Sequence, residues 1–194
     1  MNLPNKLTMF RIFMVPVFML VLIFNWPAGG AIVLGAHIYW SHVLAAVIFA
    51  VASITDFLDG HIARSRNLVT NFGKFADPLA DKMLTMTAFV FLISLKAGGT
   101  GLNLAPAWVV AIIVCRELAV TGLRLILAEN KGQVLAAKMP GKIKTTTQML
   151  SIIFLLLGDV YCIGTILLYI CLIFTIYSGY DYFKQSGDVF KGEI

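Results

Sequence analysis

The strongest constraint on the fold is a succession of long apolar runs separated by short polar links. Hydrophobic residues make up 59% of the 194-residue chain and charged residues only 13%, which excludes an ordinary soluble domain. A helix needs about 20 apolar residues to cross a bilayer. The sequence therefore predicts an all-α membrane protein, with one bundle over residues 1–194 and no separate soluble domain.

Turn-forming residues divide the chain into six expected transmembrane helices. The first follows a polar start and ends near residue 24, and it is long for the core of a signal peptide, so we expect it to be retained. A turn-rich connection over residues 25–41 follows it. The short link from Asp159 to Cys162 predicts that the last two spans form an antiparallel hairpin. The later spans are expected at about residues 38–59, 77–96, 107–127, 141–158 and 163–183.

Charge predicts which side of the membrane holds the termini. Every lysine and arginine except Lys96 falls on the side of the termini or in the half nearest to it. By the positive-inside rule, both termini are expected to be cytoplasmic. Trp26, Trp40 and Trp108 are expected at the opposite interface, where an aromatic belt lies. The two signals are independent and they agree.

Four aspartates stand where one apolar run ends and the next begins. Asp56 and Asp59 are three residues apart, and Asp77 and Asp81 are four apart, so on helices each pair shares one face. Either pair alone would more simply be a helix cap or a solvated helix end. All four together would repel one another unless cations lay among them, and such oxygen ligands suit Mg²⁺, Mn²⁺ or Ca²⁺. We therefore expect a metal site at the membrane surface.

The wider pattern around these aspartates resembles a family signature. Residues 56–81 read Asp-x2-Asp-Gly-x2-Ala-Arg-x8-Gly-x3-Asp-x3-Asp, which is similar at every defined position to the signature of the CDP-alcohol phosphotransferase family. The resemblance implies an integral membrane enzyme that moves a phosphatidyl or phospho-alcohol group from a CDP-linked donor to an alcohol and releases CMP. It also implies a homodimer.

The resemblance implies roles for individual residues. The four aspartates would hold one or two divalent ions, Mg²⁺ or Mn²⁺, on the donor pyrophosphate, and Asp81 would act as the base. Alone, Thr8 is more simply a helix cap, and a small residue such as Ala63 also permits close helix packing. The residues expected to bind the CDP donor are Asn5, Thr8, Asp56, Asp59, Gly60, Ala63, Arg64 and Gly73.

Several cations fall inside or beside the expected spans. Arg116 comes early in the fourth span, where an ionised group needs a wet cavity or a partner. Arg124 returns to about the same helix face, with Thr121 nearby, and Lys138 and Lys142 are four residues apart. Because cations near mid-depth need an anion, we expect this set to bind a phosphate group.

Two simpler interpretations of these cations remain open. Arg116 could form a structural pair with a carboxylate, and cytoplasmic lysines could be held by anionic lipid. For Lys131 and Lys144 we prefer contact with lipid.

The segments that carry these cations resemble one branch of the family. Residues 2–8, 115–124 and 137–148, together with Arg11, are similar to the phosphatidylglycerophosphate synthase branch. This implies CDP-diacylglycerol as donor and sn-glycerol 3-phosphate as acceptor, in a bacterial cytoplasmic membrane with the active site facing the cytoplasm. Membrane lipid is an expected partner and nucleic acid is not. The acceptor phosphate would be bound by Arg11, Arg116, Thr121, Arg124, Lys138 and Lys142.

Two rival functions stay open at this point. One keeps the chemistry but changes the acceptor to inositol phosphate, serine or phosphatidylglycerol. The other is a transporter of divalent metal or lipid, because charged residues inside a membrane also mark transport routes. Against the transporter, the carboxylates lie at helix ends on one side, and the two halves of the chain show no paired interrupted helices.

Overall fold

The computed structural model describes residues 3–33, 36–65, 71–97, 101–131 and 139–190, and within these ranges it describes side chains over 7–33, 37–55, 82–97, 101–123 and 139–184. Six α-helices account for most of the described residues, as the apolar runs predict. Their bounds are α1 (Leu3–Ile23), α2 (Trp40–Ser65), α3 (Asn71–Ser94), α4 (Ala107–Lys131), α5 (Met139–Leu156) and α6 (Ile163–Phe190).

Four helices extend beyond the predicted spans, and the first of them is α2, which continues to Ser65 instead of ending near residue 59. α3 begins at Asn71 instead of residue 77, α4 continues to Lys131, and α6 continues to Phe190. An apolar run marks only the part of a helix that faces lipid or core. Backbone hydrogen bonds within a helix do not depend on apolar side chains, so the helix continues into polar sequence. Asp77 and Asp81 consequently lie within α3 and not at its first turn.

A β-hairpin that the sequence did not predict occupies the connection between α1 and α2. Strand β1 (Gly30–Val33) pairs antiparallel with β2 (Ala36–Tyr39), and Gly30 lies opposite Tyr39. A Cβ atom on Gly30 would collide with the carbonyl oxygen of Ile38, so only glycine allows this approach. Strands this short are not stable alone, and β2 packs against α2.

The helices share one apolar core. α1 packs against α2 and α3, α5 packs against α6 and α2, and α4 packs against α6. Phe18 of α1, Phe49 of α2 and Phe89 of α3 are fully buried, and the rings of Phe18 and Phe49 are 6.4 Å apart between centroids. The core continues through α4, α5 and α6 by way of Ile113, Ile152, Leu155, Leu156 and Leu168.

The predicted hairpin of the last two helices is confirmed. α5 ends at Leu156, and Gly158 follows with a φ of 87°, which is favourable for glycine. The Asp159 N–H donates to the Phe154 carbonyl at 2.9 Å. The Asp159 carboxylate then accepts from the Thr165 N–H at 3.1 Å and from the Thr165 hydroxyl at 2.6 Å. A Cβ atom on Gly164 would lie 2.8 Å from the Leu155 nitrogen, so glycine is required for this close contact.

One described segment, Val160–Lys184, is by itself long and apolar enough to cross a membrane, with 25 residues and a mean hydropathy of 2.2. Shorter apolar helical stretches are Leu7–Ile23, Trp40–Thr55 and Lys82–Ser94. Six helices are thus present in the part of the chain that the structure describes. That all six cross the membrane, with both termini cytoplasmic, stays a prediction.

The three tryptophans share one end of the bundle, as expected. Trp26 follows α1, Trp40 begins α2 and Trp108 lies in the first turn of α4, and their exposed fractions are 66%, 50% and 55%. Residues from the end of α1, the start of α2 and the end of α3 line a single cavity of about 370 Å³, which shows that these helix ends meet. The end of α2 and the start of α3 consequently lie at the other end of the bundle.

Candidate active site

The four signature aspartates lie on two helices that follow one another in the chain. Asp56 and Asp59 belong to the last part of α2, and Asp77 and Asp81 to the first half of α3. Both segments lie at the end of the bundle away from the tryptophans. The side chains of these four aspartates are outside the described set. Among the side chains that are described, no group of three or more His, Cys, Asp or Glu residues could hold a metal ion. The convergence of the four aspartates on a metal stays a prediction.

The residues expected to bind the CDP donor are placed by the backbone. Gly60, Ala63 and Arg64 lie in α2, Gly73 lies in α3 and Asn5 lies in α1, and their side-chain surroundings are outside the description. Their roles in binding the donor stay predictions.

Thr8 and Arg11, both expected in the site, lie in α1 and are buried, with exposed fractions of 0% and 2%. Each makes interactions within the protein. The interpretation of Thr8 as a helix cap was wrong, because α1 begins at Leu3 and Thr8 is already inside the helix. A buried arginine is costly unless it is paired, so Arg11 fits a polar site better than a lipid-facing surface.

A cluster of charged side chains joins α3, α4 and α5. Glu117 of α4 is 4% exposed and accepts hydrogen bonds from the ammonium groups of Lys82 in α3 and Lys144 in α5. The Arg116 Nη1 atom also donates to Glu117 Oε1, at 3.1 Å. Lys82, Arg116, Glu117 and Lys144 are called the Glu117 cluster below. It brings three cations onto one buried carboxylate.

Arg116 links this cluster to α6. Its Nη2 atom donates to the Ser178 hydroxyl at 2.7 Å, and its guanidinium lies 5.9 Å from the centre of the Tyr182 ring. Gly179 permits this approach, since a Cβ atom there would lie 3.3 Å from Arg116 Cγ. The guanidinium is therefore held on two sides.

The cluster carries more positive than negative charge among the described side chains. Ionised groups that leave water lose several kcal/mol of solvation each, and a close partner of opposite sign must offset that loss. Here Lys82, Arg116 and Lys144 share one carboxylate, and Lys144 is as buried as Glu117. Such a surplus favours an anionic ligand or a further carboxylate nearby.

The predicted phosphate-binding set is only partly described. Arg116 pairs with Glu117, which is the structural pair that we kept as an alternative. The Thr121 hydroxyl donates to the Glu117 carbonyl oxygen at 2.7 Å, and Lys142 is exposed. The side chain of Arg124 and the whole of Lys138 lie outside the described residues. A phosphate site over the full set stays a prediction.

The expectation that Lys144 contacts lipid was wrong. Lys144 is 4% exposed and its ammonium group donates to Glu117. Sequence reasoning also missed Lys82 as a partner of Glu117. The available signal was Glu117 itself, an acidic residue inside an apolar run, which needs a cation beside it. Its partners could not be chosen from the sequence, because they lie 27 and 35 residues away along the chain.

Comparison with known proteins is consistent with the signature. The family model for CDP-alcohol phosphatidyltransferase matches residues 1–177. The CDP-diacylglycerol–glycerol-3-phosphate 3-phosphatidyltransferase of Bacillus subtilis is 42% identical and covers 98% of this chain and 97% of its own length. Proteins of the same name are 38% identical in Rickettsia bellii, with 97% of each chain covered, and 35% identical in Shigella flexneri, with 95% and 94% covered. The chain therefore belongs to the CDP-alcohol phosphatidyltransferase family, whose members are membrane-bound.

Proposed function

We propose that this chain transfers the phosphatidyl group of CDP-diacylglycerol to sn-glycerol 3-phosphate, giving phosphatidylglycerophosphate and CMP. The observation that carries the proposal is the 42% identity, over 98% of the chain, to a relative of that name. The complete signature over residues 56–81 supports the same chemistry. Relatives of this name match along nearly their full length, so the proposal concerns the whole activity.

The metal site would use Asp56, Asp59, Asp77 and Asp81. The donor set fits Mg²⁺ or Mn²⁺, since four carboxylates on α2 and α3 at one end of the bundle offer only hard oxygen ligands. One or two such ions, when bound, would offset the charge that develops on the leaving CMP. The small residues Gly60 and Ala63 would leave room for the nucleotide, and Arg64 would contact its phosphates.

The transfer itself needs a base beside the acceptor hydroxyl. Asp81 would accept the proton of the 1-hydroxyl of glycerol 3-phosphate as that oxygen forms a bond to the phosphatidyl phosphorus. The bond between this phosphorus and the CMP oxygen breaks in the same displacement. Asp81 can act in this way only through a carboxylate oxygen that no metal ion occupies.

The acceptor phosphate would be recognised by cations from several helices. Buried Arg11 in α1 and Arg116 in α4 support this assignment, because both carry charge where lipid is not a suitable neighbour. Thr121, Arg124, Lys138 and Lys142 would complete the site. Recognition of a phosphate would explain a preference for glycerol phosphate over glycerol.

The proposed setting is the cytoplasmic leaflet of a bacterial membrane, with six spans, cytoplasmic termini and a homodimeric assembly. The lipid donor would enter sideways from the leaflet and the acceptor from the cytoplasm. The shared position of the tryptophans at the far end supports this orientation.

The test is an assay of purified protein with CDP-diacylglycerol, Mg²⁺ or Mn²⁺ and a panel of alcohols, in which CMP release is measured. Glycerol 3-phosphate is expected to support the fastest release, and EDTA is expected to abolish it. Faster release with serine, inositol phosphate or phosphatidylglycerol would overturn the acceptor. Release that EDTA leaves unchanged would overturn the metal site.

A further inference from the structure

We propose that Glu117 is a positioning residue for the transfer reaction, because it holds α3, the helix of Asp77 and Asp81, in a set orientation against α4 and α5. This inference rests on the proposed function. It starts from an observation that the mechanism leaves unused: both oxygens of the Glu117 carboxylate are engaged, one by Lys82 of α3 and the other by Lys144 of α5 and Arg116.

The contact between Lys82 and Glu117 lies next to Asp81, the proposed base. Lys82 follows Asp81 directly in α3, and adjacent helical residues differ by about 100° around the axis. A fixed position for the Lys82 ammonium group therefore limits how far α3 can rotate, and the direction of the Asp81 carboxylate is limited with it. An error of about 1 Å in such a position can cost about 100-fold in rate.

Among the described side chains of α3, which begin at Lys82, the buried apolar ones are Leu84, Ala88, Phe89 and Leu92. A cavity of about 10 Å³ lies between the middle of α3 and the first half of α5, lined by Lys82, Thr85, Lys144, Thr145, Gln148 and Met149. Most of these side chains are polar, and they lie beside the contact between Lys82 and Glu117.

Glu117 is itself held firmly enough to serve as a reference point. Its side chain is 5% exposed, its carbonyl oxygen accepts from Thr121, and its neighbour Arg116 is anchored to Ser178 of α6. A carboxylate that moved freely could not fix the orientation of α3. This one lies between helices α3, α5 and α6.

The competing explanation is that Glu117 only neutralises buried cations. A double substitution separates the two explanations. Glu117→Gln leaves Lys144 buried without its carboxylate, which destabilises the fold. Adding Lys144→Met removes that uncompensated cation, so the thermal midpoint is expected to recover. The contact between Lys82 and the Glu117 carboxylate is still absent, however, and kcat is expected to stay low.

The experiment measures kcat, the KM for each substrate and the thermal midpoint for wild type, Lys82→Met, Glu117→Gln and Glu117→Gln/Lys144→Met. Asp159→Asn is the matched control, a carboxylate-to-amide change in the turn between α5 and α6. We expect kcat to fall about 10-fold or more in the three variants that break the Lys82 contact, with the KM for CDP-diacylglycerol near that of wild type. The control should keep its kcat.

Recovery of kcat together with the thermal midpoint in the double variant would overturn the positioning role, as would a wild-type kcat in Lys82→Met. If Glu117→Gln does not fold, Lys82→Met and the double variant still decide the matter. The kinetics use whichever acceptor releases CMP fastest. If the wild-type protein releases no CMP with any acceptor, the proposed function is wrong. If the wild-type protein is active and the variants are equally active, only the positioning role is wrong.

Discussion

Two carboxylates at different levels of the bundle have different roles: Glu117 lies near the middle of α4, and Asp159 lies in the turn between α5 and α6. Glu117 is buried and receives three charged donors, two of them from helices that lie 27 and 35 residues away in the chain. Asp159 is half-buried, and among the described residues its carboxylate accepts only from neutral donors, the N–H and hydroxyl of Thr165, six residues away. One group ties helices together, and the other closes a turn.

This difference indicates how far the contacts of each carboxylate depend on its negative charge. In an asparagine the amide oxygen could accept from the Thr165 N–H and the amide nitrogen could donate to the Thr165 hydroxyl. The turn therefore needs hydrogen-bonding groups more than it needs a negative charge. The Glu117 cluster needs the charge itself, because three cations surround it at low exposure. The following predictions test this contrast and begin with the largest expected effect.

Asp81→Asn removes the proposed base at the charged end of the bundle. We expect the rate of CMP release to fall by about 10²–10⁴-fold, with little change in the thermal midpoint. Kinetics with CDP-diacylglycerol and glycerol 3-phosphate measure the loss, and Asp159→Asn serves as the control at the other end. Full activity in Asp81→Asn would rule out its role as base.

Glu117→Gln is expected to lower the free energy of unfolding by about 3–5 kcal/mol, because it leaves the buried Lys144 ammonium group without its carboxylate. Denaturation in detergent, followed by circular dichroism, measures the change. Much of the lost unfolding free energy should be recovered when Lys144→Met is added. A single variant as stable as wild type would show that the cluster does not depend on this charge.

Arg116→Ala is expected to raise the KM for glycerol 3-phosphate by about 10-fold or more, since a charged hydrogen bond contributes about 1.5–3 kcal/mol. The KM for the donor should change far less. Initial rates at varied concentrations of each substrate provide the comparison. An equal rise in both KM values would mean that the phosphate site lies elsewhere.

Asp159→Asn is expected to have the smallest effect, a loss of less than about 1 kcal/mol in unfolding free energy, because the amide oxygen can still accept from the Thr165 N–H and the amide nitrogen can donate to the Thr165 hydroxyl. The same unfolding experiment measures it beside Glu117→Gln, which is also a carboxylate-to-amide change. A loss as large as that in Glu117→Gln would show that the two carboxylates do not differ in their dependence on charge.

Much of the fold could be read from periodicity and composition. Apolar runs located all six helices, and the short link after Gly158 predicted the hairpin of α5 and α6. The helix ends in polar sequence, such as the start of α3 at Asn71, were missed because no apolar residue marks them. The β-hairpin at Gly30 was missed because its strands are four residues long and carry no clear alternation.

The sequence alone determined the family, the reaction class and the expected metal ligands, because residues 56–81 hold the whole signature in one continuous stretch. It could also determine local contacts such as that of Asp159 with Thr165, where donor and acceptor are near neighbours in the chain. Only the tertiary structure decided that Lys144 faces Glu117 and not lipid, and that Lys82 joins them. The physical reason is that the cost of a buried charge requires a partner without specifying one, and the packing of α3, α4 and α5 brings particular cations within reach.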